Sequence, residues 1–430
     1  MCTPGYGHRM KTLVTKWLLV TIWMLAFAGC GDGVALVGND ESSEPTEASF
    51  NPVTSVNQSE VERQSIGNCW LYAGASWVES LNKAATGVEL DTSQSYVTYW
   101  HWFDQITRGG GKEIRTGGSY ATVVDLYLRY GLMTQAEFLP EEATAEMSAR
   151  QSQALAAINE SLKSGALSTS AARSNRATVR AELDRVWRLR PDAVGLLNAV
   201  FGANVSKTLD RGYTTQAPPT FAGLRVLRAA DIAVRVNARG SSTFENKTLA
   251  DAIGSGWSRS GPFAWTQTYY PSGAKARRTF QKRIQRALHD HQPVIVSWFV
   301  DFNALARDGS FSLEEIARNG GPGKQGGHMV VMHDYEVDNV PGFGTLPAGV
   351  DETRPDALQA ALSDAATVKF FRVKNSWGKY RPDRWDDTPL PGYHDLYRTY
   401  LDGPIKQCDT DGANCSNTTP LWDVVLPAGY

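Results

Sequence analysis

Helix-type and strand-type patterning occupy different parts of this chain, and that separation limits the folds open to it. From Cys69 onward the residues Trp70, Ala73, Trp77, Val78 and Leu81 return every three or four positions, the period of an amphipathic helix. From about 141 to 215 the chain is rich in Ala, Arg and Ser, as in SARQSQALAAINESLKSG and ATVRAELDRVWRLR, and reads as further helix with SGALSTSAARSN as a loop inside it. Between about 216 and 275, Gly, Pro, Ser and β-branched residues predict irregular structure over the middle of the fold. Pro293–Trp298 (PVIVSW) then opens a β-rich part that includes the run Met329–Met332 and a strand ending at Asn375. The chain shows no internal repeat at any fixed period.

The bulk numbers bound the answer without deciding it. At 430 residues and 42% hydrophobic, the chain can bury a large core and has a soft prior of two or three domains. Lys and Arg number 43 against 45 Asp and Glu, so no excess of positive charge points to nucleic acid.

The N-terminus reads as an address. Lys11 and Lys16 lead into an apolar run from Trp17 to Ala28, too short for a comfortable membrane span. The run ends Phe27-Ala28-Gly29-Cys30, and this resembles the lipobox of bacterial lipoproteins, with Phe27 where leucine is commoner. The resemblance implies a signal over 1–30, lipidation of Cys30, and an exported protein of the bacterial cell envelope, lipid-anchored to a membrane and facing the periplasm or the outside. An ordinary secretion signal cut near Ala28, or a non-cleaved anchor, is the alternative. A start at Met10 would leave Cys2 outside the protein. Residues 31–55, rich in Gly, Ser, Asp and Glu, read as a flexible tether. Export places the protein in an oxidising compartment, where Cys408 and Cys415 are expected to pair across a short loop. Asp409, Asp411 and Asn414 in that loop read as a solvated turn rather than a calcium site, because no bidentate Glu follows them.

Cys69 has the context of a nucleophile. It follows the turn Ser65-Ile66-Gly67-Asn68 and opens the helix, where unpaired N–H groups and the helix dipole favour an anion. Such placement, with a histidinium beside it, lowers a thiol pKa from about 8.5 into the range of roughly 3.5–7.5. Further along, His328 follows a glycine pair, and Asn375 ends a strand at Ser376-Trp377-Gly378. Cysteine, then histidine, then asparagine is the order needed for a Cys–His–Asn triad, in which His takes the thiol proton and Asn orients the imidazole.

With Cys69-Trp70, Gly327-His328 and Asn375-Ser376-Trp377-Gly378 in place, the chain resembles the papain-like cysteine peptidases. The segments CWLYAG, LDTSQSYVTYWHWFD, TGGSYATVVDLYLRYGLM, ALHDHQPVIVSWFVDF and LWDVVLP are similar to the bleomycin hydrolase and aminopeptidase C branch, over roughly half of the chain. The resemblance implies an α+β, papain-like two-lobed fold, a helical lobe plus a β-barrel-like lobe with an inserted helical subdomain. It divides the chain into a helical nucleophile lobe over 56–140, an inserted helical and irregular segment over 141–275, and a β-rich lobe carrying His328 and Asn375 over 276–430. It also implies that Trp377 shields the Asn–His hydrogen bond and that Gly117 and Gly118 line the substrate backbone.

The sequence departs from that family at three places. The oxyanion-hole glutamine usually lies six residues before the cysteine, where Arg63 stands here; Gln64 lies one position later and is the candidate donor. The stretches from Cys69 to His328 and from His328 to Asn375 are both long. A chain ending soon after Pro427 would lack the C-terminal arm that blocks the cleft in the bleomycin hydrolase branch. Among the other histidines, His333 is expected to pack, His101 to be a buried ring, and His289 and His291 to lie at the surface. No histidine pair has metal-ligand spacing, so neither metal nor cofactor is expected. The leading expectation is an exported cysteine peptidase acting on a peptide or protein through a thioester acyl-enzyme. A turnover-free papain-fold peptide- or surface-binding protein is one alternative, and an amidase or acyltransferase acting on cell-wall peptides is another. Nothing in the sequence fixes an oligomeric state.

Overall fold

The helix that opens at Cys69 is the first element of the fold, and the rest of the helical part is built around it. The computed structural model describes residues 56–430 apart from 57, 110, 239–240, 242, 257, 351, 381–389 and 409–413. The signal, Cys30, the tether, Asp409 and Asp411 therefore lie outside the described residues. Helix α1 (Cys69–Thr86) ends at Gly87 in the left-handed conformation (φ 74°), whose N–H bonds the Lys83 carbonyl. Helices α2 (Gln94–Thr107) and α3 (Tyr120–Tyr130) start at Ser93 and Ser119, whose hydroxyls accept from the N–H groups of Tyr96 and Thr122. Three more helices, Ala149–Lys163, Arg176–Val186 and Pro191–Phe201, follow in the Ala- and Arg-rich part.

These helices share one apolar core. Trp77, Tyr96, Trp100 and Tyr127 of α1 to α3 pack in the same cluster as Ile158, Leu183, Leu197 and Phe201 of the later helices. Trp100 stacks on Tyr130 with ring centroids 4.2 Å apart and meets Phe201 edge-on at 4.7 Å. Residues 141–275 are thus not a body of their own; they complete the core that α1 begins. The described residues all fall within one compact unit, Phe50–Tyr430.

The second half is a sheet. In chain order the strands are β1 (Ala233–Asn237), β2 (Phe244–Thr248), β3 (Thr266–Tyr269), β4 (Val294–Asp301), β5 (Ser310–Phe311), β6 (Gln325–Val340), β7 (Gly344–Leu346), β8 (Thr367–Lys374), β9 (Tyr393–Tyr397), β10 (Ile405–Cys408), β11 (Cys415–Thr418) and β12 (Leu421–Leu426). Eight of them form one sheet in the order β3-β12-β4-β6-β8-β9-β5, with β7 on β6; β1 and β2 form one hairpin, β10 and β11 another. The pairing is antiparallel throughout this sheet except between β5 and β9. β3 belongs to this sheet, so the β-rich lobe begins before residue 276, earlier than composition suggested: its TQTY carries no apolar run to announce a strand.

Strand β4 is buried along its whole length, which is why VIVSWFV reads as continuous apolar sequence. The sheet has two apolar faces. Val296, Trp298, Val330, Met332 and Val424 join the core of the β-rich lobe, against Phe280, Ile284 and Leu288 of the Ala274–His289 helix. Ile295, Met329, Val331 and Val425 join the helical core instead. His333 packs against the Tyr393 ring at 4.7 Å, and burial drives its pKa down to about 3. His289 is not the surface residue that its place near a helix end suggested: its Nε2 contacts the Tyr335 hydroxyl, and burial lowers its pKa to about 4. The Cys408–Cys415 disulfide is present and joins β10 to β11. Among the described residues no helix is long and apolar enough to cross a membrane.

Trp77 is fully buried and meets Tyr120 and Trp265 edge-on, at 5.7 and 5.6 Å. Trp77→Ala should cost about 3–5 kcal/mol of stability, read as a lowered denaturation midpoint in both near- and far-ultraviolet circular dichroism.

Candidate active site

Cys69 is the first residue of α1, and the residue before it is held rigidly from below. Asn68 is buried, and its Nδ2 donates to Gln151 Oε1 (2.9 Å) and Thr98 Oγ1 (3.1 Å). Gln151 in turn donates to Ser95 Oγ (3.0 Å), which donates to Glu142 Oε1 (2.9 Å). These bonds hold the Asn68 side chain toward Thr98 and Gln151; no side chain caps α1, and the first N–H groups are left near the thiol. Burial pushes the Cys69 thiol pKa up, while the backbone groups of Met329, Trp70 and Cys69 itself pull it down. The helix-terminal effect expected from the sequence is therefore present but outweighed by burial, so a thiolate here needs a neighbouring cation.

Strand β6 passes beside the thiol. The thiol lies against the backbone of Met329, one residue after His328. His328 Nε2 is 2.7 Å from Asn375 Oδ1, which also accepts from the Ser376 N–H at 2.7 Å. An oxygen acceptor at Nε2 assigns the ring proton there. Trp377 stacks over the His328 ring at 4.7 Å and 24°, and Trp298 meets it edge-on at 6.2 Å. His328 lies on β6 and Asn375 directly follows β8, whose last residue Lys374 pairs with Val331 of β6, so the two strands bring the ring and the amide together.

Gln64 occupies the seam between the two halves. Its Nε2 donates to the Ile66 carbonyl at 2.8 Å, its Oε1 accepts from Ser376 Oγ at 2.6 Å, and its N–H donates to the Ser376 carbonyl at 2.9 Å. It thus ties the segment before Cys69 to the segment after Asn375, with its amide engaged by Ile66. Gly117 and Gly118 are exposed, in the loop that lies against Trp70 of α1. Trp70 Nε1 donates to the Thr116 carbonyl (2.9 Å), and a Cβ on Gly118 would come within 2.4 Å of the Trp70 indole. Only glycine allows that approach of loop to ring. His101 meets Trp70 edge-on at 4.9 Å, a partly buried ring with a local partner.

Sequence reasoning missed a buried charge cluster directly behind this site. Lys374, the residue before Asn375, is only 5% exposed and donates to Ser59 Oγ (2.7 Å) and to Ser76 Oγ on α1 (3.0 Å). Burial lowers its pKa, and Glu79, Glu62, Glu60 and Asp91 act in the opposite sense. Burial and the nearby Glu79 raise Glu62 to about 8; its carboxylate accepts from Gln94 and Gln135, each at 2.6 Å. The available signal was a lysine directly before Asn375 at the end of the strand run FFRVK; its partners are scattered from 59 to 91. Among the described residues no cluster of His, Cys, Asp and Glu could hold a metal ion.

No family model matches the chain, and no curated protein matches it in sequence. Among solved structures it is similar to PepW from Lactobacillus rhamnosis HN001, at 12% identity and a TM-score of 0.43, over 89% of this chain and 82% of that one. It is also similar to xylellain, a cysteine protease from Xylella fastidiosa, at 12% identity and 0.34, over 88% and 85%. A third is the Carica candamarcensis cysteine protease CMS1MS2, solved in complex with E-64, at 14% identity and 0.30, over 86% and 93%. Similarities this distant carry no chemistry; the side chains described above carry it.

Two outcomes follow from this geometry. Gly118→Ala must displace the loop from Trp70; tryptophan fluorescence should shift and the melting temperature should fall, whereas an unchanged melt would show that the loop moves freely. Glu142 is raised to about 7, chiefly by burial. A carboxyl raised on folding stabilises the fold below its ordinary value near 4.5, and that contribution is lost as pH rises through about 7. The melting temperature should therefore drop between pH 5 and pH 8, and Glu142→Gln should narrow the drop; an unchanged drop would place the proton elsewhere.

Proposed function

We propose that this protein is a cysteine peptidase, exported and held at a membrane by lipid on Cys30. The observation that carries the reading is the 2.7 Å bond between His328 Nε2 and Asn375 Oδ1 beneath Trp377, with the Cys69 thiol against the neighbouring Met329 backbone. In this reading Nδ1 of His328 takes the thiol proton, and the resulting imidazolium offsets the burial that raises the thiol. The Cys69 thiolate attacks a peptide carbonyl carbon. His328 then protonates the leaving amine, and the acyl group stays on sulfur as a thioester. Water, deprotonated by the same imidazole, attacks the thioester and restores the thiol.

The uncapped N–H groups at the start of α1 are the oxyanion donors that the chain already presents. Gln64 is the second donor; serving the oxyanion requires its amide to leave or share the Ile66 carbonyl. That engagement is the one observation favouring the second reading, a peptide-binding protein without turnover. The substrate would be a peptide or protein lying extended along Gly117 and Gly118, where backbone can approach backbone. The residue assignments make no use of metal or cofactor.

Labelling by an epoxide that traps activated thiolates, followed by peptide mapping, tests the pair directly. Cys69 should react fast at mildly acidic pH, where a free thiol is protonated, and His328→Ala should remove that reactivity. Cys69→Ala should abolish peptide cleavage with the fold intact. Reaction of Cys69 no faster than a free thiol would overturn the peptidase reading and leave the binding protein.

A further inference from the structure

The opposite end of β8 from Asn375 opens into a different kind of site. Thr367 begins that strand and Lys374 ends it, so at about 3.4 Å per residue the two ends stand roughly 25 Å apart. Beside Thr367 lies a cavity of about 270 Å³, far above the roughly 10–15 Å³ that one water needs. Arg277, Arg278 and Gln281 of the Ala274–His289 helix line it, with Arg398 and Asp402 facing them.

Two of the three guanidinium groups are held by neutral acceptors. Arg277 donates to the carbonyls of Pro271 (2.9 Å) and Asp402 (2.7 Å) and to Thr419 Oγ1 (3.2 Å). Arg278 donates to Gln285 Oε1 (2.7 Å) and to the carbonyls of Ala361 (3.0 Å) and Ser363 (2.7 Å), and its buried Nε has no partner among the described residues. The carboxylates nearby are already engaged. Asp402 takes Arg398 at 2.8 Å and the Tyr270 hydroxyl at 2.5 Å, with Arg277 3.9 Å away; Asp364 lies at the mouth, exposed and paired with Lys282. Lys275 adds a further positive charge near Asp364.

An arginine does not shed its proton, so Arg278 must keep its charge next to Arg398 in a partly buried place. Its pKa is pushed down by burial; Asp364 opposes this shift and Arg398 adds to it. The charge of the guanidinium groups is offset only in part, by Asp402, which Arg277 and Arg398 share, and by the exposed Asp364, so three guanidinium groups meet two carboxylates around a space large enough for a ligand. Guanidinium forks match the spacing of oxygens on a phosphoryl group. We infer that this cavity is a binding site for a phosphate-type oxyanion, remote from Cys69 and independent of the peptidase reading.

The test is calorimetric titration of inorganic phosphate into the full chain, against sodium chloride at matched ionic strength. Saturable binding should appear in the wild-type protein. It should weaken at least 10-fold in Arg277→Gln and in Ala274→Glu. The second variant places a carboxylate at the exposed mouth and removes no existing hydrogen bond; at a helix N-terminus it also suits the helix dipole. Thermal melts confirm that each variant is folded. Phosphatidate-containing vesicles form the second arm: binding to them that phosphate displaces assigns the site to a lipid headgroup, whereas phosphate binding alone assigns it to the free ion. No heat beyond that of chloride, or equal affinity in wild type and Ala274→Glu, would overturn the inference.

Discussion

A single ammonium group links the helical and β-rich parts of this protein beside Asn375. Lys374 stands immediately before Asn375 at the end of β8, and its Nζ reaches Ser76, two turns along the helix that begins at Cys69. Through Ser59 the same group also holds the N-terminal segment that leads to Gln64. Burying that charge costs several kcal/mol, offset by hydroxyl bonds and the surrounding carboxylates; removing one partner of such a cluster typically costs about 3–5 kcal/mol. What the cluster provides is position: strand end, helix and N-terminal segment must all arrive for any of these charges to be satisfied.

Around that tie, apolar packing does the rest. The sheet is not a lobe merely leaning on the helices, because Ile295, Met329, Val331 and Val425 belong to the helical core. Its other face closes with the Ala274–His289 helix into a second core containing Trp298, Phe311, Tyr335 and Tyr400. Trp377 lies at the rim of that second core, against Phe302 at 5.4 Å and the His328 ring at 4.7 Å. Shielding of the His–Asn bond is therefore an extension of core packing rather than a separate device.

The sequence carried those features whose cause is local. The apolar period from Trp70 to Leu81 marked α1, the run PVIVSW marked β4, and the Cys408–Cys415 spacing marked the disulfide. The α+β class and the helical and β-rich halves were legible for the same reason. Features created by long-range assembly were not. Nothing in TQTY or LWDVVL says that β12 lies between β3 and β4. Nothing in a lone Lys374 says that Glu62 and Glu79 will meet it. His289 looked exposed beside its polar neighbours, yet Tyr335, far along the chain, covers it. The Ala- and Arg-rich helices looked like a separable insertion because their apolar stripe is visible in sequence while the core it enters is not.

The place of β12 has a consequence for how the molecule comes into being. Residues 421–426 are the partners of both β3 and β4, and they are made long after Cys69, His328 and Asn375. Until they emerge, one edge of β4 stays unpaired, and such non-local closure is slow because its loop entropy is spent before any contact forms. A growing chain thus holds Cys69, His328 and Asn375 before β12 closes the edge of β4 and joins it to β3. The last strand to be made is the one that closes the sheet, so the finished order of strands is set by the end of synthesis.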